Sequence, residues 1–472
     1  MAGSEFRTEK DTLGDVQVPA GAYWGAQTQR AIENFPVSGL RAHPTMVRAY
    51  VAVKLAAART NQELGKLDAL SAEMIENACL EVLDEGKLLD QWVVDVFQAG
   101  AGTSFNMNTN EVLANRANEI LGAPLGTYSL VHPNDHVNMS QSTNDTFPTA
   151  MQVAALLLGA DLEKALAGLA DALAEKGRHF DNVIKSGRTH LQDAVPVRLG
   201  QEFTAYALAI RRAATALGQA LDACKELPLG GSAAGTGLNT HPEYAPKVVA
   251  HLAEITGLDL RPAEDLRLAM QSMAPMAGVS AALRNLALEL MRIANDLRLL
   301  ASGPRTGLAE IQLPAVQPGS SIMPGKVNPS MAECLNMIAM QTIGNDTATA
   351  LAVQAGQLEL NVFMPVIAHN VLGSMSILKN FLPVFTERSV RGILAIGDRC
   401  QQYFESSVGL ATLLNQYIGY AKAAEVAKES VTTGKTLREL ILEKGLMTAE
   451  QLEAALDPKR VTEPNDPKGG EE

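Results

Sequence analysis

Apolar residues fall on a helical period along most of this chain. Between residues 273 and 302, Leu283, Leu286, Leu290, Ile293, Leu297 and Leu300 recur at intervals of 3, 4, 3, 4 and 3. That is a heptad seam, and it predicts a helix with one face buried against a partner. Leu288, Met291 and Leu299 add apolar residues off the seam, so this helix needs neighbours on more than one side. Residues 149–177 carry Leu162, Leu166, Leu169 and Leu173 at intervals of 4, 3 and 4, and residues 197–227 are rich in Ala and Leu with no proline. Earlier, the pattern predicts a helix over 44–64 and another from Ser71, read as its N-cap, to residue 85. After residue 395 the periodic segments shorten to 420–430 and 436–456, punctuated by Gly434 and Gly445, with Thr448, Glu450 and Gln451 reading as a capped start.

These elements predict a mainly α chain in three parts. A mixed, mostly helical domain covers 1–140, a central bundle of long helices covers 141–394, and a small helical domain covers 395–472. The last residues, from Pro464, are charged and rich in Pro and Gly, and are expected to be disordered. Long helices this poor in aromatics suit a bundle completed by other subunits.

Composition narrows the class. Hydrophobic residues make up 47% of 472, enough for a large core, while aromatics are only 4%. Lys and Arg number 39 against 52 Asp and Glu, a net charge of −13 that disfavours nucleic acid or an anionic membrane as partner. A small anionic substrate stays open, provided its site is locally positive. Cys79, Cys224, Cys334 and Cys400 are far apart in sequence and offer no CxxC or disulfide framework. With no long apolar run and no secretory signal, the expected location is the cytoplasm.

Five polar segments interrupt the apolar helices. Gly100-Ala101-Gly102-Thr103-Ser104 lacks the third glycine and the strand context of a dinucleotide fingerprint, and reads as a tight turn presenting Thr103. His132 and His136 invite a metal reading, but Pro133 and Asn134-Asp135 break any common helix face. Just beyond them, Ser142, Thr143 and Asn144 are consecutive donors before a helix expected to start near Pro148, which is anion-binding chemistry. His190 has the polar neighbours Thr189 and Gln192 and follows Gly187, which favours a site over a core histidine. Gly230-Gly231-Ser232 through Asn239 reads as a structural turn. Gly319-Ser320-Ser321-Ile322-Met323-Pro324-Gly325-Lys326-Val327-Asn328-Pro329 fails as a P-loop, because five residues separate Gly319 from Gly325-Lys326 and Val327 follows the lysine. The inventory is hydroxyls, amides, one His and one Lys. It suits a small, multiply anionic substrate held by hydrogen bonds.

The segment 319–329 resembles the signature of the aspartase/fumarase superfamily, and the resemblance runs from Asp11-Thr12-Leu13-Gly14 to Ile418-Gly419-Tyr420. Gly100-Ala101-Gly102-Thr103-Ser104, Ser142-Thr143-Asn144, Gln192-Asp193-Ala194-Val195-Pro196 and Ala355-Gly356-Gln357-Leu358-Glu359-Leu360-Asn361 are similar to the aspartase form. Tyr23 to Arg30 and Phe363 are shared with, or lean toward, the fumarase form. The resemblance implies a three-domain helical subunit whose long helices join those of three neighbours in a homotetramer, with active sites drawn from three subunits. It implies reversible elimination of ammonia from L-aspartate to give fumarate, with hydration of fumarate to L-malate as the alternative. It implies no metal and no other cofactor. It places Ser320 as general base, and Thr103, Ser142, Thr143 and Ser321 on the β-carboxylate. Thr189, Lys326 and Asn328 would hold the α-carboxylate, Asn144 and His190 would meet the amino group, and Glu333 would orient His190.

Overall fold

A computed structural model of the chain describes residues 5–464, so residues 465–472, where disorder is expected, lie outside the described residues. A hairpin of β1 (Phe6–Asp11) and β2 (Gly14–Pro19) is followed by α1 (Ala26–Asn34), α2 (Pro44–Glu63), α3 (Ala69–Leu83), α4 (Thr103–Ile120) and α5 (Thr143–His179). A second hairpin, β3 (Ile184–Thr189) with β4 (Gln192–Arg198), precedes α6 (Leu199–Asp222), α7 (Tyr244–Thr256), α8 (Leu266–Gln271) and α9 (Ala274–Leu300). Then come α10 (Ser330–Gln354) and α11 (Met364–Arg388), and the short helices α12 (Gly397–Ser406), α13 (Leu410–Ile418), α14 (Tyr420–Thr433), α15 (Leu437–Glu443) and α16 (Ala449–Ala455). The chain is mainly α, as its periodicity predicts.

Local chemistry sets where the helices begin. Pro44 sits in the first turn of α2, and the His43 ring accepts a hydrogen bond from the Thr45 N–H at 3.1 Å. α3 starts ahead of the predicted N-cap: Asp68 takes that position, its Oδ1 accepting from the Ser71 N–H at 3.0 Å. α5 also begins early, at Thr143 rather than near Pro148, and carries the proline inside its first turns. Thr448 and Gln451 form the expected capping box, and Thr436 with Glu439 forms another.

The chain divides into two compact units whose boundaries fall within long helices. One gathers the described part of Met1–Lys164, Thr215–Ala287 and Ile338–Lys379, and in it α2 packs on α3 and α7 while α4 packs on α1 and α3. The other gathers Ala165–Ala214, Leu288–Met337 and the described part of Asn380–Glu472. There α12 and α13 lie against the second hairpin, and Ile184 joins Phe404, Leu414, Val426, Leu440 and Leu452 in one apolar cluster.

Every residue of the α9 seam is buried, as are Leu162, Leu166, Leu169 and Leu173 of α5. The off-seam Leu288 and Leu299 are 51% and 41% exposed in the single chain. Among the described residues no helix is long and apolar enough to cross a membrane.

Because Leu286 is fully buried on the seam, Leu286→Ala should cost roughly 2–5 kcal/mol of stability, read from the denaturant midpoint. A loss below about 1 kcal/mol would show that the seam is not a packed interface.

Candidate functional site

The predicted site residues sit at helix starts and turns, and each is described within its own unit. Thr103 opens α4 from a backbone only glycine permits. Gly102 has φ +87°, and a Cβ there would lie 2.2 Å from the buried Phe147 ring. The Thr103 side chain is exposed, and the turn before it is pinned by the Ala101 N–H bonding to Val362 O at 2.7 Å.

Ser142, Thr143 and Asn144 form the start of α5, held by an arrangement of the capping-box kind. Ser142 Oγ accepts from the Asn144 N–H at 3.2 Å, and Asp145 Oδ1 accepts from the Ser142 N–H at 3.0 Å. Asp145 Oδ2 reaches a different stretch of chain, accepting from the N–H groups of Gly230 at 3.1 Å and Ser232 at 2.9 Å. The Asn144 amide adds a second tie, donating to Ala233 O at 2.8 Å. The glycine-rich segment is thus a tight turn, and it is fastened to the donor segment. Asp145 is fully buried: burial pushes its carboxyl up to about 6, and the three backbone N–H groups and the Lys54 charge pull the other way. Nothing in the hydrophobic pattern singled out Asp145; its signal was its place three residues after Ser142.

His132 and His136 spend their Nδ1 atoms on the backbone. His132 Nδ1 accepts from Asn134 and Asp135, and His136 Nδ1 accepts from the His132 N–H at 3.0 Å. Among the described residues no group of three or more His, Cys, Asp or Glu side chains is placed to hold a metal ion.

Thr189 and His190 lie at the tip of the second hairpin, which periodicity did not reveal. Thr189 pairs with Gln192, so His190-Leu191 is a two-residue loop, and both residues have positive φ, +57° and +59°. Such primed turns favour Asn-Gly, and His-Leu carries strain. The hairpin is anchored by buried charge. Lys185 bridges Glu202 at 2.8 Å and the fully buried Glu310 at 3.0 Å, and Arg188 bonds Glu310 at 2.9 Å. Gly187 sits at a bulge where a Cβ would meet Val195 O at 2.5 Å.

The loop before α10 closes on itself. The Gly319 N–H bonds Lys326 O at 2.8 Å, and the Asn328 amide donates to Gly319 O at 2.6 Å. Inside this closure Ser320 Oγ accepts from two backbone N–H groups, Met323 at 3.0 Å and Ile322 at 3.2 Å. Ser321 and Lys326 are exposed, Lys326 has no ion pair among the described residues, and Glu333 is half-buried in the first turn of α10. Among the described residues no hydrogen bond or ion pair joins Glu333 to His190. Thr103, Ser142–Asn144 and Ser320–Asn328 each stand at or just before the positive end of a long helix, where an anion is favoured.

This long-helix fold, with hydroxyl and amide donors at its helix starts, is shared with known lyases. A family model described as Lyase matches residues 14–344, and one described as Fumarase C C-terminus matches 410–463. An aspartate ammonia-lyase of Bacillus subtilis (strain 168) is 50% identical over 460 residues, covering 98% of this chain and 97% of that protein. A class II fumarate hydratase of Halobacterium salinarum is also 50% identical, covering 97% of each. A solved structure of fumarate lyase:delta crystallin from Brucella melitensis superposes with a TM-score of 0.93 at 47% identity, covering 97% of this chain and 100% of that one. The chain belongs to the aspartase/fumarase superfamily.

The strained turn generates a test. His190→Gly should relieve the positive φ and stabilise the protein by roughly 0.5–1 kcal/mol, seen as a higher thermal midpoint, while turnover falls. A destabilised variant would show that the histidine is held there by packing.

Proposed function

We propose that this protein eliminates ammonia from L-aspartate to give fumarate, reversibly, through a carbanion whose charge spreads onto the adjacent carboxylate. The observation that carries the reading is the Ser320 hydroxyl, held between two backbone N–H groups inside a loop that also bears Lys326. A free serine hydroxyl is far too weak an acid to serve as a base. Two N–H dipoles aimed at its oxygen stabilise the alkoxide relative to the alcohol, and the Lys326 charge in the same loop acts in the same sense.

Removing a proton from C3 places negative charge beside a carboxylate, so the aci-carboxylate dianion needs several donors at once. Thr103, Ser142, Thr143 and Ser321 are assigned to the β-carboxylate, and Thr189 and Lys326 to the α-carboxylate. Asn328 shares that second role in the family resemblance; in this chain its amide N–H closes the loop on Gly319, so it also shapes the loop that carries the base. Asn144 and His190 are assigned to the amino group. With its NH₂ engaged on Ala233 O, Asn144 keeps its amide oxygen as an acceptor, which complements an ammonium. Glu333 is assigned to orient His190, a contact the single chain does not make, so it falls to an assembly.

That assembly is read as a homotetramer with shared active sites, acting in the cytoplasm. Exposed apolar residues on α9 and α10, Leu288, Leu299, Met337, Met340 and Leu351, support it, since long helices seldom leave so many large apolar side chains in water. The alternative, hydration of fumarate to L-malate, draws on the same base, and the halobacterial hydratase at 50% identity supports it.

Following fumarate absorbance with L-aspartate and then L-malate separates the two, and formation from L-aspartate is the expected result. Ser320→Ala should lower kcat by roughly 10²–10⁴ with the assembly intact by sedimentation. Near-normal turnover in that variant removes Ser320 as the base.

A further inference from the structure

Lys54 lies in the middle of α2 with its side chain wholly buried. Its ammonium donates to three amide oxygens: Asn106 Oδ1 at 2.7 Å, Gln141 Oε1 at 2.9 Å and Asn138 Oδ1 at 3.1 Å. The orientation of these amides is set by their own N–H groups. Gln141 donates to Val137 O and Met139 O, both at 3.0 Å, and Asn138 donates to Gln141 O at 3.4 Å. Asn106 donates to Asn138 Oδ1 at 3.1 Å, and Asn110 reaches the same oxygen at 3.2 Å. Three acceptors converge on one nitrogen, which matches an ammonium; a neutral amine has only two N–H bonds.

Burial pulls Lys54 down to about 7, and the Asp145 carboxylate of α5 supports its charge against that. The Tyr50 hydroxyl, one turn away on α2, bonds Asn106 Oδ1 at 3.2 Å and Thr146 Oγ1 at 2.8 Å. Burying an ammonium is costly, and a Met would fill the same volume without that cost. What the ammonium adds is connection. Asn106 lies three residues beyond Thr103 on α4, and Gln141 directly precedes Ser142.

We propose that Lys54 is a positioning residue that fixes the start of α4 and the start of α5 in register, so that Thr103 and Ser142–Thr143 meet one carboxylate together. The proposal rests on the reading that these donors hold a substrate carboxylate. It adds a residue that touches no substrate yet sets the geometry of the groups that do.

The test uses the full-length protein and inhibition by succinate, an unreactive dicarboxylate, below pH 7 against whichever of L-aspartate or L-malate is turned over. Inactive or misfolded molecules lower kcat and leave the inhibition constant alone, whereas a displaced anion site raises it. Lys54→Met should raise the succinate constant about tenfold or more, as should Ser142→Ala. The double variant should fall well short of the product of the two singles, because both act on one segment. An unchanged constant in Lys54→Met beside a raised one in Ser142→Ala overturns the proposal alone, as does a fully multiplicative double variant. An unchanged constant in Ser142→Ala overturns the carboxylate reading and the proposal with it. If Lys54→Met does not fold, the half-exposed Gln141→Met takes its place. A rise of about threefold supports the proposal, and no rise overturns it.

Discussion

The arrangement depends on a buried carboxylate whose two oxygens are taken up by backbone N–H groups from two distant stretches of chain. Asp145 caps the start of α5 with one oxygen and holds the turn at Gly230–Ser232 with the other. A helix start leaves N–H groups unpaired, and such groups favour a bound anion. The Ser142 hydroxyl takes one of them, the Asn144 N–H, while Asp145 takes the Ser142 N–H. Among the described residues neither the Ser142 nor the Thr143 hydroxyl donates a hydrogen bond. The same device recurs in the other unit, where Glu310, fully buried, takes Arg188 and Lys185 and thereby secures the hairpin that presents Thr189 and His190.

This explains which parts of the molecule are legible in the sequence. The helices are, because burying one face imposes a period: α2 ends within a residue of its predicted bounds, and the α9 seam is buried residue for residue. The donor segments are legible as interruptions of that period. Their supports are not. Asp145, Lys54 and Glu310 are charged residues inside the protein, and a hydropathy pattern assigns charge to the surface. α4 buries Asn106, Asn108, Thr109, Asn110 and Glu111 along one helix, with Glu111 accepting from the N–H groups of Gly25, Gln27 and Thr28, so its polar stretch looks like a solvated helix and is an interior one. The second hairpin escapes for a different reason: its loop is His190-Leu191, and neither residue signals a primed turn. His190, assigned above to the amino group, stands where turn chemistry would place Asn or Gly.

That substitution shows how strain and function meet. A histidine held at φ +57° stands at the end of a strand that Lys185 and Arg188 pin to the buried carboxylate of Glu310. Ser320 is held by a milder version of the same logic. Gly319 must be glycine, since a Cβ there would lie 2.3 Å from Lys326 O, and closing the loop at that point folds the N–H groups of Ile322 and Met323 onto the serine oxygen. In both places backbone that a generic residue would not adopt sets where the side chain stands.

The equal standing of an aspartate ammonia-lyase and a fumarate hydratase, each 50% identical to this chain, follows from the reaction itself. Both reactions remove a proton beside a carboxylate and must stabilise an aci-carboxylate of the same kind, and that step dominates the demand on a protein that catalyses either. They part only at the leaving group. An ammonium leaves carrying its own proton, whereas a hydroxyl must be given one. The distinction is therefore confined to the few side chains that meet the leaving group, Asn144 and His190 in the assignment made above, and to whatever orients them. Identity averaged over some 460 positions is insensitive to so local a difference.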